Sequence, residues 1–252
     1  MPIVAIFTRV PLSTLFHQLS NPVVTDALIV SLKSVFIAQV FILGIGTPTA
    51  WFLASHRFRG RALAVTLVEL PIVLPPAVAG IGLLVAFGRF GLLGGTFDFL
   101  GINVSFNLTA VVFAIILVSG PFYVRQAIAS FEAVNWSMVA ASRTLGAGPL
   151  RTFFRVTLPL ARGGLLAGES LCLARGLGEF GATILFAGSL QGRTQTLPLA
   201  VYNQFEADQL TTVYAISALL VVLSLTILLI LKVGVLWQPS RQSSLSPFGR
   251  SN

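Results

Sequence analysis

The chain has few of the residue types from which catalytic and metal sites are built. Its single cysteine, Cys172, excludes a disulfide within the chain and a cysteine-based metal cluster. Its two histidines, His17 and His56, lie far apart and lack the spacing of metal ligands. The sequence therefore predicts no catalytic residue, no metal site and no cofactor.

Charged residues are also scarce, and this scarcity indicates the class of protein. Only 10% of the 252 residues are charged, 55% are hydrophobic, and the mean hydropathy is +0.90. Soluble domains carry roughly a quarter charged residues, so this composition is typical of a protein that crosses a membrane several times. The net charge of +8 then indicates a bias of arginine and lysine toward the cytoplasmic side, not binding to nucleic acid.

Five apolar segments are long enough to cross a bilayer as helices, each of which needs about 20 residues. They cover residues 26–54, 62–87, 104–123, 164–187 and 209–236. The sequence has no series of short alternating strands, as a membrane barrel would need. We therefore expect an all-α polytopic membrane protein in contact with lipid, with a transmembrane domain over residues 24–232 and a cytoplasmic tail over residues 237–252.

Basic residues alternate between the connections and predict the orientation. Residues 57–61 carry three arginines, and residues 124–163 carry five arginines against one acid, Glu132. The other connections, residues 89–103 and 188–208, are close to neutral. Because arginine and lysine accumulate on the cytoplasmic side, the two basic connections and the C-terminal tail are predicted to be cytoplasmic.

The N-terminal segment, residues 1–23, is difficult to place in this orientation, because the first full span would begin outside the cell. Its apolar "IVAIF" run is too short for a span and is typical of the end of a helix. Either this segment lies outside, or the natural chain begins further upstream. No basic start precedes an apolar core, so a cleaved signal peptide is not predicted, and we expect a partial N-terminal helix.

The connection over residues 132–160 predicts a helix–turn–helix on the cytoplasmic face. Residues 135–145 show a weakly apolar face, Gly146 and Gly148 interrupt it, and Pro149 suits the first turn of a second helix. This second helix is expected to be short and to end at "LPL", residues 158–160. The segment is either an interfacial helix among lipid headgroups or a docking element for a soluble partner.

The spacing in this connection resembles the coupling loop of bacterial ABC importer permeases, whose pattern is E-A-A-x3-G-x9-I-x-L-P. The matching residues are Ala140, Ala141 and Ser142, then Gly146, then Val156, Leu158 and Pro159. Arg143 lies in the same loop, and Ala140 stands where the family has its acidic residue. Gly146 and the spacing of nine residues between it and Val156 match the family pattern, so the shape of the loop is expected to be kept. The resemblance implies that this loop contacts a separate ATPase subunit.

Three further stretches resemble the molybdate-type permease subunit: "ELPIVLPPAVAGIGLLVAFGR", "PFYVRQAIASF" and "ARGLGEFGATILFAGSLQGRTQTLPLAVY". The resemblance covers about residues 24–232. It implies a type I ABC importer transmembrane fold, a homodimer, two cytoplasmic ATPase subunits, a periplasmic oxyanion-binding protein and a multi-pass location in the bacterial inner membrane. Sulfate, thiosulfate and tungstate stay alternatives to molybdate, because selectivity is expected to reside mainly in the binding protein.

Two charges lie within the fourth predicted span, where contact with lipid would be costly. Arg175 and Glu179 are four residues apart, so they share a helix face and can pair. The pair is either a structural tie or part of a substrate path. In a path, an arginine half-neutralised by a glutamate would attract an oxyanion without trapping it.

The second predicted span contains Pro71, Pro75 and Pro76, each of which removes a helical hydrogen bond. We expect an irregular backbone there, which a membrane tolerates where it lines a path or is buried in protein. The predicted path residues are Pro75, Pro76, Arg175, Glu179, Gly181 and Thr183.

The sequence thus predicts the non-catalytic permease subunit of an ATP-driven importer for molybdate or a similar tetrahedral oxyanion. The chain has no G-x4-G-K-[ST] loop, so ATP hydrolysis needs a separate subunit. A secondary oxyanion transporter is the alternative from another class, and it predicts internal repeats of spans, of which none is convincing. A membrane-embedded enzyme would need a catalytic cluster for which the histidines are poorly placed.

Overall fold

The computed structural model describes residues 2–9, 17–99 and 104–236, and the secondary structure of these residues is helical. The helices are α1 (Pro2–Arg9), α2 (Pro22–Ser55), α3 (Arg61–Val73), α4 (Pro76–Phe87), α5 (Gly94–Phe99), α6 (Leu108–Glu132), α7 (Trp136–Thr144), α8 (Pro149–Leu177), α9 (Gly181–Ala187), α10 (Leu197–Glu206) and α11 (Leu210–Leu236). Helices form their backbone hydrogen bonds within each segment, as the interior of a bilayer requires. The predicted tail over residues 237–252 lies outside the described residues.

Helix α6 lies at the centre of the bundle, packed against α2, α3, α8 and α9. It begins after Asn107, whose side chain accepts a hydrogen bond from the backbone N–H of Ala110 at 3.2 Å. It ends at Glu132, well beyond the predicted end of this span at residue 123. The connection that follows is therefore shorter than predicted, and Arg125 lies inside a helix.

The second predicted span, residues 62–87, is not one helix but two. The helix axis bends by 113° between α3 and α4. The break follows from the proline pair, because a residue before proline is driven out of the helical region. Leu74 (ψ 134°) and Pro75 (ψ 133°) are accordingly extended.

The fourth predicted span, residues 164–187, ends at Ala187 as predicted but begins earlier and is bent before its end. Helix α8 begins at Pro149 and passes through the "LPL" sequence, where the prediction ended a short helix. A π-helical turn, Phe153–Thr157, precedes Pro159 and lets the helix continue through it. In this turn the N–H of Leu158 donates to the carbonyl of Phe153, five residues earlier. Helix α8 then gives way to α9 with a bend of 56°.

Within the described residues, three unbroken helices are long and apolar enough to cross a membrane: α2, α6 and α11 over Leu210–Leu231. The bent pairs α3–α4 and α8–α9 raise the number to five if each pair is one span. The N-terminal segment contributes α1, which packs against α11. The protein is thus a multi-pass helical bundle centred on α6.

Candidate functional site

The two broken spans meet at their breaks, so that α9 packs against α4. A Cβ atom on Gly181 would lie 3.0 Å from the Cβ of Pro76. A Cβ atom on Gly80 would lie 2.7 Å from the carbonyl oxygen of Ala182 and 2.8 Å from its Cα. Only glycine allows backbones to approach so closely. The structure therefore brings together Pro76 and Gly181, two residues that the sequence placed in the path.

Arg175 and Glu179 form an ion pair at the junction of α8 and α9, with 2.7 Å between Nη1 and Oε2. The other oxygen, Oε1, accepts a hydrogen bond from the backbone N–H of Ala182 at 2.8 Å. Only 1% of the Glu179 side chain is exposed, against 27% of the Arg175 side chain. The carboxylate is thus fixed inside the protein, and the arginine is the accessible member of the pair.

The remaining two predicted path residues are Thr183 and Pro75, which lie in different surroundings. Thr183 is fully buried in α9, and its hydroxyl has no hydrogen-bond partner among the described residues. Pro75 lies in the extended break before α4. The six predicted residues thus cluster around two neighbouring helix breaks, with Arg175 as the cation among them.

Helix α7, in the connection predicted to be cytoplasmic, is positioned by local hydrogen bonds and by contact with α8. The side chain of Asn135 accepts from the backbone N–H of Ser137 at 3.0 Å and caps the helix. At the other end Gly146 has a φ of +86°, the left-handed conformation that ends helices. The hydroxyls of Ser142 and Thr152 lie 3.3 Å apart and tie α7 to α8.

The residues matching the coupling pattern divide into an exposed and a supporting group. The exposed residues are Ala140, Ala141, Arg143, Gly146 and Pro159. Ser142 faces α8, and Val156 and Leu158 pack against the hydrophobic core. Large apolar side chains near this turn are also exposed, namely Met138, Leu145, Leu150 and Phe154. Apolar side chains beside exposed arginines form a surface suited to a protein partner.

Sequence reasoning missed several polar contacts between helices remote in the chain. Gln39 lies 3.2 Å from a carboxylate oxygen of Glu169, to which its amide nitrogen can donate, and it also contacts the thiol of Cys172. Arg61 pairs with Glu132, and Arg125 with Glu69. The only sequence signal for these pairs is the presence of ionisable residues in or beside apolar segments; the partners could not be read from local spacing.

The connection between α9 and α10, predicted to face outward, is more buried than a solvated loop. Thr194, Gln195 and Thr196 are buried. The backbone N–H of Leu197 donates to the hydroxyl of Ser31 at 2.8 Å, which fixes this connection to α2. Only the tip, residues 190–193, is exposed. It is a preformed turn on the protein surface.

Comparison with known proteins identifies a family for this architecture. The family model described as "Binding-protein-dependent transport system inner membrane component" matches residues 46–236. The chain is 43% identical to the molybdenum transport system permease protein ModB of Mycobacterium tuberculosis over 91% of its length and 86% of that protein. It is 42% identical to ModB of Escherichia coli K12 over 71% of the chain and 78% of that protein. The sulfate transport system permease protein CysW of Synechocystis is 36% identical over 80% of the chain and 72% of that protein.

Solved structures share the fold. A subunit of the MetNI methionine ABC transporter in an inward-facing conformation aligns with a TM-score of 0.68 at 18% identity, covering 84% of the chain and 94% of that subunit. A subunit of a bacterial alginate ABC transporter aligns with a TM-score of 0.70 at 15% identity, covering 88% of the chain and 82% of that subunit. The bundle therefore has the transmembrane fold of ABC transporters.

Proposed function

This chain belongs to the family of binding-protein-dependent transport system inner membrane components, and we propose that it is the permease subunit of an importer for molybdate or a similar tetrahedral oxyanion. The observation that carries the proposal is the 43% identity to a molybdenum permease over 91% of the chain. The sulfate permease relative is less similar, at 36% identity. Molybdate is therefore the leading substrate, with tungstate and sulfate as its competitors.

ATP hydrolysis is assigned to a separate cytoplasmic ATPase, and this chain is the non-catalytic membrane subunit. The exposed apolar and basic surface of α7 and the following turn supports docking of that ATPase. Its centre is the turn at Gly146, with Leu145 and Leu150 exposed on either side. A helix that is tied to α8 can pass movement of the ATPase directly into the span that carries Arg175.

The substrate path is proposed to run past the junction of the two broken spans. Arg175 supplies positive potential there, and Glu179 reduces it, so that a dianion is attracted but not trapped. The buried position of Glu179 supports this division of roles, because only the arginine is accessible to a passing anion. Pro75, Pro76, Gly181 and Thr183 shape the junction.

The complete transporter is proposed to contain two copies of this chain, two ATPase subunits and a periplasmic oxyanion-binding protein. The described residues of one copy offer up to five spans, and a path along a shared axis would use both copies. The preformed turn over residues 190–193 is on the side predicted to face outward and is a candidate contact for the binding protein.

Reconstitution tests the function directly. The permease, its ATPase and its binding protein are placed in proteoliposomes, and uptake of radioactive molybdate is measured with tungstate and sulfate as competitors. We expect uptake that requires ATP and the binding protein, with tungstate competing more strongly than sulfate. Uptake that follows an imposed ion gradient without ATP would instead support a secondary transporter. Uptake of sulfate in preference to molybdate would reassign the substrate.

A further inference from the structure

Helix α6 is the most buried of the three unbroken spans, yet it exposes one stripe in the half predicted to be cytoplasmic. Only four of its residues are exposed: Thr109, Arg125, Ala129 and Glu132. The last three are spaced at i, i+4 and i+7 and so lie on one face. The stripe combines two charged residues with one small residue, whereas the exposed surface of α11 carries large apolar side chains such as Leu225 and Leu229.

Helix α3 borders this stripe and is attached to α6 by two ion pairs. Arg61 pairs with Glu132, and Arg125 pairs with Glu69 through its Nε, 3.5 Å from the carboxylate. Arg125, Ala129 and Glu132 are all exposed, so α3 does not cover the stripe. The side chain of Arg125 is 66% exposed and that of Glu69 is 33% exposed. The atom of Arg125 nearest the carboxylate is Nε, which leaves the terminal nitrogens without a hydrogen bond to the described residues.

The second ion pair lies away from the ends of the two helices that carry it. At 1.5 Å per residue, Arg125 is about 10 Å from the end of α6 at Glu132, and Glu69 is about 12 Å from the start of α3. A snorkelling arginine would extend toward the headgroups. Arg125 instead pairs with Glu69 on the neighbouring helix, so both charges lie inside helices that belong to candidate spans.

We propose that the stripe over Arg125, Ala129 and Glu132 lines a water-filled exit in the cytoplasmic half of the protein, with Arg125 as a second binding position for the oxyanion. Contact with lipid is disfavoured, because charged groups within spans face water or other protein groups. The arrangement repeats that at the helix break: an arginine more exposed than the glutamate that partly neutralises it. The ligand class is a small tetrahedral dianion, which the guanidinium holds by charge and by N–H donors.

This inference rests on the proposed function and on the predicted orientation of α6. It adds a step to the path: the anion leaves Arg175, contacts Arg125 and enters the cytoplasm. Glu69 makes that contact weak, as release requires. Two positions that bind the oxyanion weakly let it move along the path without being held at either arginine.

Thiol labelling tests the aqueous stripe without depending on the transported substrate. Ala129→Cys is placed on a Cys172→Ala background, and the whole transporter is studied in inside-out vesicles. We expect Ala129→Cys to react with a water-soluble, anionic methanethiosulfonate roughly ten-fold faster than the control Leu225→Cys, which is exposed on the apolar surface of α11. Phe58→Cys, in the exposed connection before α3 and outside the proposed ATPase surface, is the positive control. If Phe58→Cys reacts but Ala129→Cys does not, lipid or a second copy covers the stripe, and the proposal is wrong.

The charge of Arg125 is tested by comparing anionic and cationic reagents of similar size at Ala129→Cys. A positive charge near a water-filled cleft attracts anions and repels cations. Arg125→Gln should therefore lower the ratio of the anionic reagent's rate to the cationic reagent's rate by roughly ten-fold. Glu69→Gln should raise the ratio, and Arg125→Lys should keep it. The double variant Arg125→Gln with Glu69→Gln leaves neither charge unpaired, so the protein should assemble. Its ratio of anionic to cationic labelling rates should be as low as that of Arg125→Gln.

A merely structural tie between α3 and α6 makes a different prediction, because losing either partner would change the labelling in the same direction. A ratio that does not respond to Arg125→Gln would overturn the anion position. If these ratios behave as expected but molybdate is not imported, the anion position stands and only the assigned substrate fails. If molybdate slows labelling of Ala129→Cys, and Arg125→Gln abolishes this protection, the anion position at Arg125 binds the proposed substrate.

Discussion

At the scale of single residues, the ion pair between Arg175 and Glu179 is asymmetric. The carboxylate is enclosed and makes a second contact, to the backbone N–H of Ala182. The guanidinium is partly exposed. A group that is fully desolvated depends on its partner more than a group that reaches water. The two residues should therefore respond differently to substitution.

Arg175→Met should destabilise the protein more than Glu179→Gln. Arg175→Met leaves a buried carboxylate without its cation, which costs about 3–5 kcal/mol. In Glu179→Gln the unpaired arginine is partly exposed, and the glutamine oxygen can still accept from Ala182. Thermal unfolding of the purified complexes measures the difference. Equal melting temperatures for the two variants would contradict the asymmetry.

The double variant Arg175→Met with Glu179→Gln separates a structural role from a role in transport. It removes both charges and keeps the bulk of both side chains. We expect the double variant to assemble with a stability closer to wild type than Arg175→Met, and to import oxyanion slowly at every concentration. Uptake assays on the reconstituted transporter check this. Normal uptake by a well-assembled double variant would mean that the pair is only structural.

At the scale of helices, the contact between α4 and α9 joins the two broken spans through glycine. Gly80 faces the backbone of Ala182, and the approach leaves no space for a methyl group. Gly82, two residues later in the same helix, has open space around it. The chain therefore offers a matched pair of positions in one helix.

Gly80→Ala should push α4 and α9 apart, whereas Gly82→Ala should be close to neutral. Overpacking at such a contact costs about 1–3 kcal/mol. The melting temperature and the transport rate of Gly80→Ala should both fall, because the junction beside Arg175 widens. A Gly80→Ala variant that matches Gly82→Ala in both measurements would show that the two helices can separate without cost.

The turn after α7 provides the second test at this scale. Gly146 has a φ of +86°, which proline cannot adopt. Gly146→Pro should leave the chain inserted but abolish ATP-driven uptake, because the turn no longer directs α7 toward the ATPase. Uptake and ATPase activity of the reconstituted complex are measured together, and unchanged coupling would refute the docking role.

Alanine substitutions supply the graded control for this turn. Both Gly146 and Gly148 have free space for a methyl group. Of the two, only Gly146 has a positive φ. Gly146→Ala should therefore cost about 1–2 kcal/mol of backbone strain, and Gly148→Ala should cause no such strain. The loss of coupling should follow the order Gly146→Pro, Gly146→Ala, Gly148→Ala.

At the scale of the whole molecule, the orientation in the membrane decides which surfaces meet which partners. The arginine-rich connection beside α3 and the turn after α7 are predicted to be cytoplasmic. The tip over residues 190–193 is predicted to face outward. All the proposed contacts, with the ATPase inside and the binding protein outside, depend on this arrangement.

Cysteine labelling in intact cells should separate the two sides. On a Cys172→Ala background, Gln191→Cys in the outer tip should react with a membrane-impermeant thiol reagent, and Phe58→Cys in the connection before α3 should not. Both side chains are exposed and Phe58 lies outside the proposed ATPase surface, so burial cannot explain a difference. Permeabilised cells serve as the control, because both positions should then react. Reaction of Phe58→Cys in intact cells would reverse the predicted topology.

Properties that depend on composition and local spacing were determined by the sequence alone. The membrane class, the helical secondary structure and the apolar segments of α2 and α11 follow from runs of apolar residues. The likeness to importer permeases followed from motifs and was confirmed by the family match. The pairing of Arg175 with Glu179 followed from their i, i+4 spacing, which is kept across the last turn of α8.

Only the tertiary structure decided how remote residues combine. The contact of Gly80 with Ala182 and the partners of Arg61 and Arg125 join helices that are far apart in sequence, so no local pattern specifies them. The path of α8 through Pro159 is a second case: Phe153 in its π-helical turn packs against the rings of Trp51 and Phe131. Local preference for ending a helix at proline is weak compared with such packing, and the bundle overrides it.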